Sequence, residues 1–367
     1  MREAGAPVPQ IDPATGERFW ILARYQDVLD ALRHPGIGHE VHRHRPGEGE
    51  RRPASEVERI GARQLIDLDP PDHTRLRKLV STAFTPRTVA RLESRVATIV
   101  DGLIAAARRR EVIDAVADLG EPMPVAVIAD LIGVPQADRR RFRAWSATIM
   151  AGPAGDRDDA TLEFAAYIDE LAARRRSQPE NDLLSRLVAL ELDRDELVAM
   201  IQLLLIAGQE TSVFLIVNGL RALLTHREQW DALCADPSLA AAAVEEIARF
   251  DGPVELAPPR YTFTDVRLGG ATIPAFEKVG LSLLGANRDP DAFRDPDVFD
   301  IRRADGARHL AFGHGIHFCL GAGLGRLEGR VMFARLAEQL PTLRLAEDPR
   351  AGGWIEPHVG ELALTVR

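Results

Sequence analysis

Two cysteines, Cys234 and Cys319, are all that the 367 residues contain. They are too few for a disulfide scaffold and suit a reducing cytoplasm. Lysine is almost absent: only Lys78 and Lys278 stand among 46 basic residues, so the positive charge is arginine. That skew reads as the mark of a GC-rich genome rather than of a function. Acidic residues outnumber basic ones 55 to 46, a formal charge of −9, which argues against nucleic acid or an anionic membrane as the main partner. No apolar segment of the signal-peptide kind follows Met1. The longest apolar run, 200–207, is far short of the ~20 residues that a bilayer span needs. Repeats, low-complexity tracts and linkers are absent as well. What remains is a soluble, cytoplasmic chain, expected to fold as one continuous domain over 1–367.

Periodicity makes that domain mainly α with minor β. Residues 18–25 are aromatic and β-branched and predict a strand; 26–34 turn helical, with Val28, Leu29 and Leu32 on one face. Residues 39–52 are polar and aperiodic and predict an exposed, mobile loop. Asp69-Pro70-Pro71-Asp72 predicts a helix start, and Thr85-Pro86 that helix's end. Further helices are expected over 87–110, 123–132, 138–149, 158–176 and 181–192, with a loop at 151–155. The segment 195–226 is apolar nearly all round and predicts a helix buried at the centre of a large protein. Short strands are expected over 260–279, an Asp/Pro-rich coil over 287–308, a helix over 320–340, and a last strand pair near Leu343 and 362–366.

Chemistry concentrates in two stretches. The first is 312–321, Phe-Gly-His-Gly-Ile-His-Phe-Cys-Leu-Gly. Gly313, Gly315 and Gly321 surround Cys319, and a regular apolar helix follows. A glycine turn lets the backbone approach something large and flat, and a helix start favours the thiolate, the ligating form of cysteine. Cys234 has no such setting and reads as an ordinary helix-face cysteine. The second stretch is Ala207-Gly208-Gln209-Glu210-Thr211-Ser212, inside the apolar helix. Glycine there costs about 1 kcal/mol relative to alanine, and an acid costs more without a partner. Ala207, Gly208 and Thr211 share a face that presents a gap and a hydroxyl. A bond from that hydroxyl back to a helix carbonyl is the plainer alternative. Glu246 and Arg249 lie three apart and can pair on one helix face.

The pattern Phe312-Gly313-x-Gly315-x-His317-x-Cys319-x-Gly321 resembles the haem-binding signature of the cytochrome P450 family, with all six fixed positions matched. The resemblance runs from the strand at Arg18 to the end of the chain. It implies a P450 fold and haem b (iron protoporphyrin IX) with Cys319 as the metal ligand. It implies that Ala207 and Gly208 open a gap for dioxygen, and that Glu210 and Thr211 deliver protons. His73, Arg77, Arg260 and His317 fall where that family contacts the haem propionates. Phe312, Gly313 and Gly321 belong to the cofactor loop. Glu246 and Arg249 match a buried pair that braces the coil before the loop, with Arg302 as the third partner. Pocket-lining segments are expected at 41–65, 146–165, 206–214, 254–257 and 355–362.

The expected activity is monooxygenation of a small molecule, a natural-product intermediate above all. Electrons would come from a separate ferredoxin and ferredoxin reductase, since no flavin or iron–sulfur segment is present. Arg75, Lys78, Arg326 and Arg330 are candidate docking cations, and the protein is expected to be monomeric. Two other activities stay open: oxidative coupling of an aromatic or peptide substrate, and non-catalytic sensing of a diatomic gas. The sequence departs from the family pattern at Gly325, where alanine is usual, at the variable position Gln209, and in the first helix, which is missing or mostly so.

Overall fold

The computed structural model describes residues 6–11, 16–47, 53–82, 84–346 and 362–366. Helices dominate and strands are short. In chain order the first elements are β1 (Val8–Ile11), β2 (Arg18–Leu22), α1 (Tyr25–Arg33), β3 (Ile37–Gly38), α2 (Glu56–Gly61), α3 (Asp72–Ser81), α4 (Pro86–Ala90) and α5 (Glu93–Ala107). There follow β4 (Val112–Asp114), α6 (Pro122–Ile132), α7 (Arg139–Ala151), α8 (Ala154–Ser177), α9 (Leu183–Leu187) and the long α10 (Arg194–Thr225). The last part holds α11 (Arg227–Ala235), α12 (Ala240–Asp251), β5 (Arg260–Thr262), β6 (Val266–Leu268), β7 (Ala271–Ile273), β8 (Lys278–Leu281), α13 (Leu283–Asn287), α14 (Ala322–Gln339), β9 (Arg344–Leu345) and β10 (Ala363–Thr365). By internal contacts the chain divides into two compact units, Met1–Arg52 with Asn218–Ala322, and Pro53–Val217 with Gly323–Arg367.

The first unit is built on a five-stranded sheet of order β1-β2-β8-β5-β3. Only the β2–β8 pair is parallel, with Phe19 opposite Lys278 and Leu22 opposite Leu281. The strand expected over 18–25 ends at Leu22, because the Asp289 carboxylate accepts from the Tyr25 backbone N–H at 2.7 Å and turns the chain into α1. This remote acid satisfies a donor that the helix start leaves open. Val28, Ala31 and Leu32 then bury one face of α1 against Leu22, Val279 and Leu281. Each such leucine contributes roughly 2 kcal/mol by leaving water.

The mobile loop expected over 39–52 is well anchored where it is described. Glu40 is buried and pairs with Arg43 at 2.9 Å, and the His44 ring stacks on Phe263 at 3.8 Å. Arg45 donates to the Phe276 carbonyl at 3.2 Å. The polar composition was misleading because His44 and Arg45 have partners far along the chain and Glu40 is paired locally with Arg43. Residues 48–52 lie outside the described residues.

The second unit is a helical stack with a small sheet, β4-β10-β9. The expected C-terminal strand pair forms, Leu364 opposite Leu345, but β10 also pairs with β4. The helix expected over 87–110 is two helices. Thr85 does not close α3; its side chain accepts from Thr88 N and, with Pro86, opens α4. Asp182 caps α9 by accepting from Ser185 N at 2.7 Å, and the helix expected to Leu192 stops at Leu187. The loop between α7 and α8 shrinks to Gly152 and Pro153. A reciprocal capping box starts α10: Glu196 N donates to Asp193 Oδ1 at 2.8 Å, and Asp193 N donates to Glu196 Oε2 at 3.1 Å. By length and composition α10 could cross a bilayer. Leu197, Val198, Met200, Ile201 and Leu205 are nevertheless buried in protein, as befits a core helix.

Candidate active site

In the first unit, residues 312–321 form a turn rather than a helix start. The Cys319 N–H donates to the Phe312 carbonyl at 2.9 Å, closing the loop, and Phe318 N donates to Gly315 O at 3.1 Å. Gly313 and Gly315 have φ of 70° and 74°, the left-handed region open to glycine. A Cβ on Gly315 would lie 2.7 Å from the Leu32 carbonyl oxygen, so that glycine also lets the loop close onto α1. Arg33 and His314 meet at 2.5 Å across the same junction. The chain leads into the loop through Leu310, whose N–H donates to the buried Asn287 side chain at 2.6 Å. Cys319 is exposed and α14 starts three residues beyond it, later than the helix expected from 320. Phe312, Gly313 and Gly321 are half-buried around it.

Basic side chains of this unit gather near the loop. His317 meets His39 edge-on, ring centroids 4.8 Å apart, and the His39 ring reaches the Pro259 carbonyl at 3.0 Å. Gly38 stands opposite Tyr261 in the β3–β5 register, which puts His39 beside buried Arg260. His39 was missed because it opens a stretch that reads as solvated. Its signal lay in the following polar run being held by β3, two residues that no periodicity reveals.

The brace is a buried charge cluster. Arg249 grips both oxygens of Glu246 at 2.7 and 2.8 Å, and both residues are fully buried. Arg249 also donates to the carbonyls of Asn287, Pro296 and Val298 at 3.0, 2.8 and 3.2 Å. The third partner is Arg303, not Arg302: its Nε donates to Glu246 at 3.2 Å. Asp300 explains the register. Its own N–H donates to Glu246 and its side chain accepts from Arg302 N, a turn that sends Arg302 outward and Arg303 in. Every charge in the cluster is hydrogen-bonded, the condition for keeping an ion pair in a core.

In the second unit, the middle of α10 is opened and pinned. Its flanks are buried, whereas 206–211 are half-buried or, at Ala207, exposed. Thr211 Oγ1 donates to the Ala207 carbonyl at 2.6 Å, the back-bond weighed above, which leaves its lone pairs to accept from elsewhere. The gap at Gly208 is not open: a Cβ there would meet Ile128 of α6 at 3.2 Å. Gly208 therefore admits a neighbouring helix, and the open face narrows to Ala207 and Thr211. Glu210 is half-buried beside them.

Two polar groups hold this turn from behind. Ser146 of α7 donates to Gln209 Oε1 at 2.8 Å, and Ser212 donates to Glu328 Oε2 of α14 at 2.6 Å. Burial pushes the Glu328 carboxyl up to about 8, and the Ser212 hydroxyl pulls it back only in part. Neither Ser146 nor Glu328 was singled out in the sequence; a serine and a glutamate on helices look like surface residues until the packing is known.

On α3, His73 is buried and Arg77 half-buried on one face. Arg75 is engaged with Glu196, and Arg330 with Glu93 at 3.0 Å, while Lys78 is exposed. Cys234, on α11, is half-buried and its thiol is raised by burial, in keeping with an ordinary helix-face cysteine. Of the expected lining segments, 355–361 lies outside the described residues.

The family model for cytochrome P450 matches residues 156–342, just over half of the chain. A vitamin D(3) 25-hydroxylase of Pseudonocardia autotrophica is 46% identical over 334 residues, covering 89% of this chain and 82% of that protein. The cytochrome P450 monooxygenase PikC of Streptomyces venezuelae is 41% identical over 96% of this chain and 85% of its own length. Among solved structures, PksS, the cytochrome P450 of the Bacillus subtilis bacillaene polyketide synthase, superposes with a TM-score of 0.91 at 32% identity, covering 100% of this chain and 94% of that one.

Proposed function

The chain belongs to the cytochrome P450 family, and from that premise we propose that Cys319 is the thiolate ligand of its haem iron and that Thr211 and Glu210 handle protons in the reaction. The fold is the P450 fold, the cofactor is haem b and the reaction is monooxygenation. The residues present fit that group. Cys319 is exposed on a glycine-kinked loop closed by its own backbone hydrogen bonds. Its own unit supplies the imidazoles of His317 and His39 and the buried guanidinium of Arg260, the donor chemistry that propionates need; within the second unit His73 and Arg77 carry the same kinds of donor on one face of α3. When bound, haem b supplies the activation of dioxygen and the transfer of one oxygen atom to an organic substrate.

The protein's own part is to hold and to move protons. Phe312, Gly313 and Gly321 shape the face around Cys319. Ala207 keeps the open side of α10 clear, and Gly208 lets α10 pack on Ile128. Thr211 spends its proton on the Ala207 carbonyl and so turns an acceptor oxygen outward, with Glu210 next to it as the acid that reloads the site. Glu246, Arg249 and Arg303 keep the coil before the loop in place.

The two units are halves of one domain, since the chain passes between them three times, once inside α10. The substrate is a largely apolar natural product, of the size suggested by a secosteroid or polyketide relative. A ferredoxin and its reductase supply electrons, with the exposed Lys78 as a docking cation, and the enzyme works as a cytoplasmic monomer.

The exposed Cys319 on its closed glycine turn is the observation that carries the reading. Reduced protein under carbon monoxide should give the Soret band of a thiolate-ligated haem, and Cys319→Ala should abolish it. A band of the histidine-ligated kind would refute the assignment. Ligand titrations with vitamin D3 and with a macrocyclic polyketide, followed by the Soret shift, test the substrate class.

A further inference from the structure

Helical geometry divides the catalytic turn of α10 into two opposed faces. At 100° per residue, Leu205, Gln209, Ser212 and Ile216 fall within about 60° of one another, while Ala207 and Thr211 lie on the other side. Leu205 and Ile216 are fully buried, so Gln209 and Ser212 are polar residues set between buried apolar ones, and Ser212 already has its partner in Glu328. Its carboxamide oxygen accepts from Ser146 Oγ at 2.8 Å, and Ser146 is itself completely buried. A buried hydroxyl on α7 has no packing reason to be there; a small apolar residue would fill the space without needing a partner. The bond joins α7, which runs into the Gly152–Pro153 turn, to the residue directly before Glu210.

We propose that the Ser146–Gln209 hydrogen bond is a clasp by which α7 sets the rotation of α10 at 207–211, making Ser146 and Gln209 positioning residues for proton delivery. A side-chain atom ~4 Å from a helix axis moves ~1 Å for a rotation of ~15°. A misplacement of ~1 Å can cost ~100-fold in a reaction step. A single pin on the back of the helix therefore controls the aim of Thr211 on the front. The inference rests on the proposed role of Thr211, and the test separates the two.

The haem-loaded protein is compared with Ser146→Ala, Ser146→Thr, Gln209→Leu and the double variant Ser146→Ala/Gln209→Leu. Two quantities are read: amide hydrogen exchange over 205–212, and the fraction of NADH-derived electrons recovered as hydrogen peroxide with a surrogate ferredoxin and reductase, without added substrate. Loss of one hydrogen bond should raise exchange about 5-fold to 10-fold in either single variant. The peroxide fraction should rise several-fold, Ser146→Thr should restore both, and the double variant should match the singles within about twofold. Unchanged exchange, additive effects or failure of Ser146→Thr to rescue would overturn the clasp. Faster exchange with an unchanged peroxide fraction would reduce it to a packing contact and overturn the positioning role. Gln209→Leu carries the test alone if Ser146→Ala fails to fold. A parent protein lacking the thiolate band would refute the functional reading instead, while exchange would still report on the clasp.

Discussion

Replacing Glu328 by glutamine should remove a pH-dependent weakness of the fold. The carboxyl is only 2% exposed, and burial moves it from the ordinary 4.5 to about 8. A carboxyl raised in this way is protonated in the folded chain over a range where the unfolded chain has already lost its proton. Stability is therefore complete below pH 4.5, declines as pH rises, and levels off above pH 8. At 1.36 kcal/mol per pH unit of difference, the full penalty is about 5 kcal/mol, of which about 3–4 kcal/mol develops between pH 5 and pH 8. Glutamine keeps an oxygen for the Ser212 hydroxyl and cannot ionise. Denaturation midpoints of the two haem-loaded proteins should then nearly coincide at pH 5 and separate progressively toward pH 8, with Glu328→Gln the more stable. Because both carry the same cofactor, its binding cancels from the difference. Parallel pH curves would refute the reasoning, since they would mean that Glu328 is already charged at neutral pH and that its surroundings stabilise the anion.

Other perturbations follow from the same geometry. Arg249→Ala would take the bidentate partner from the buried Glu246, leaving it Arg303 and the Asp300 N–H, and would free the Asn287 and Pro296 carbonyls; it should destabilise the protein by about 3 kcal/mol with loss of haem on gentle heating. Arg302→Ala should be neutral in the same assay whereas Arg303→Ala should not; equal effects would contradict the corrected register. Thr211→Ala should leave the thiolate spectrum intact and raise the peroxide yield, and full coupling in that variant would count against the proton-handling role. Gly315→Ala would force alanine to φ 74° with a methyl 2.7 Å from the Leu32 carbonyl, so weaker haem retention is expected, whereas Gly208→Ala should be milder because only the end of Ile128 must yield.

The residues legible in the sequence were those whose chemistry is unusual for their place: a cysteine between glycines, or an acid and a threonine in an apolar helix. Such residues violate local rules, and the violation is visible without coordinates. The long helix was legible too, because its apolar periodicity persists over many turns. What stayed hidden obeys local rules and acts through distant partners. Ser146, Glu328 and His39 are ordinary at their positions, and each takes on meaning from a group at least 63 residues away. Helix ends behaved in the same way. Asp289 starts α1 from 264 residues further along the chain, and nothing near Tyr25 in the sequence announces it.

Arg302 and Arg303 show the limit most sharply. Both are arginines in one polar coil, and a single residue of register decides which is buried. That register is set by Asp300, which offers its N–H to Glu246 and its carboxylate to the next turn. Exchanging the roles should therefore depend on Asp300. In Asp300→Ala the turn loses its side-chain bond but keeps the backbone N–H to Glu246, so Arg303 should stay inward and stability should fall by only about 1 kcal/mol. In Asp300→Pro that N–H is gone and one oxygen of a buried carboxylate loses a donor, which should cost several times more. Equal losses in the two variants would show that the side chain, not the backbone, fixes the brace.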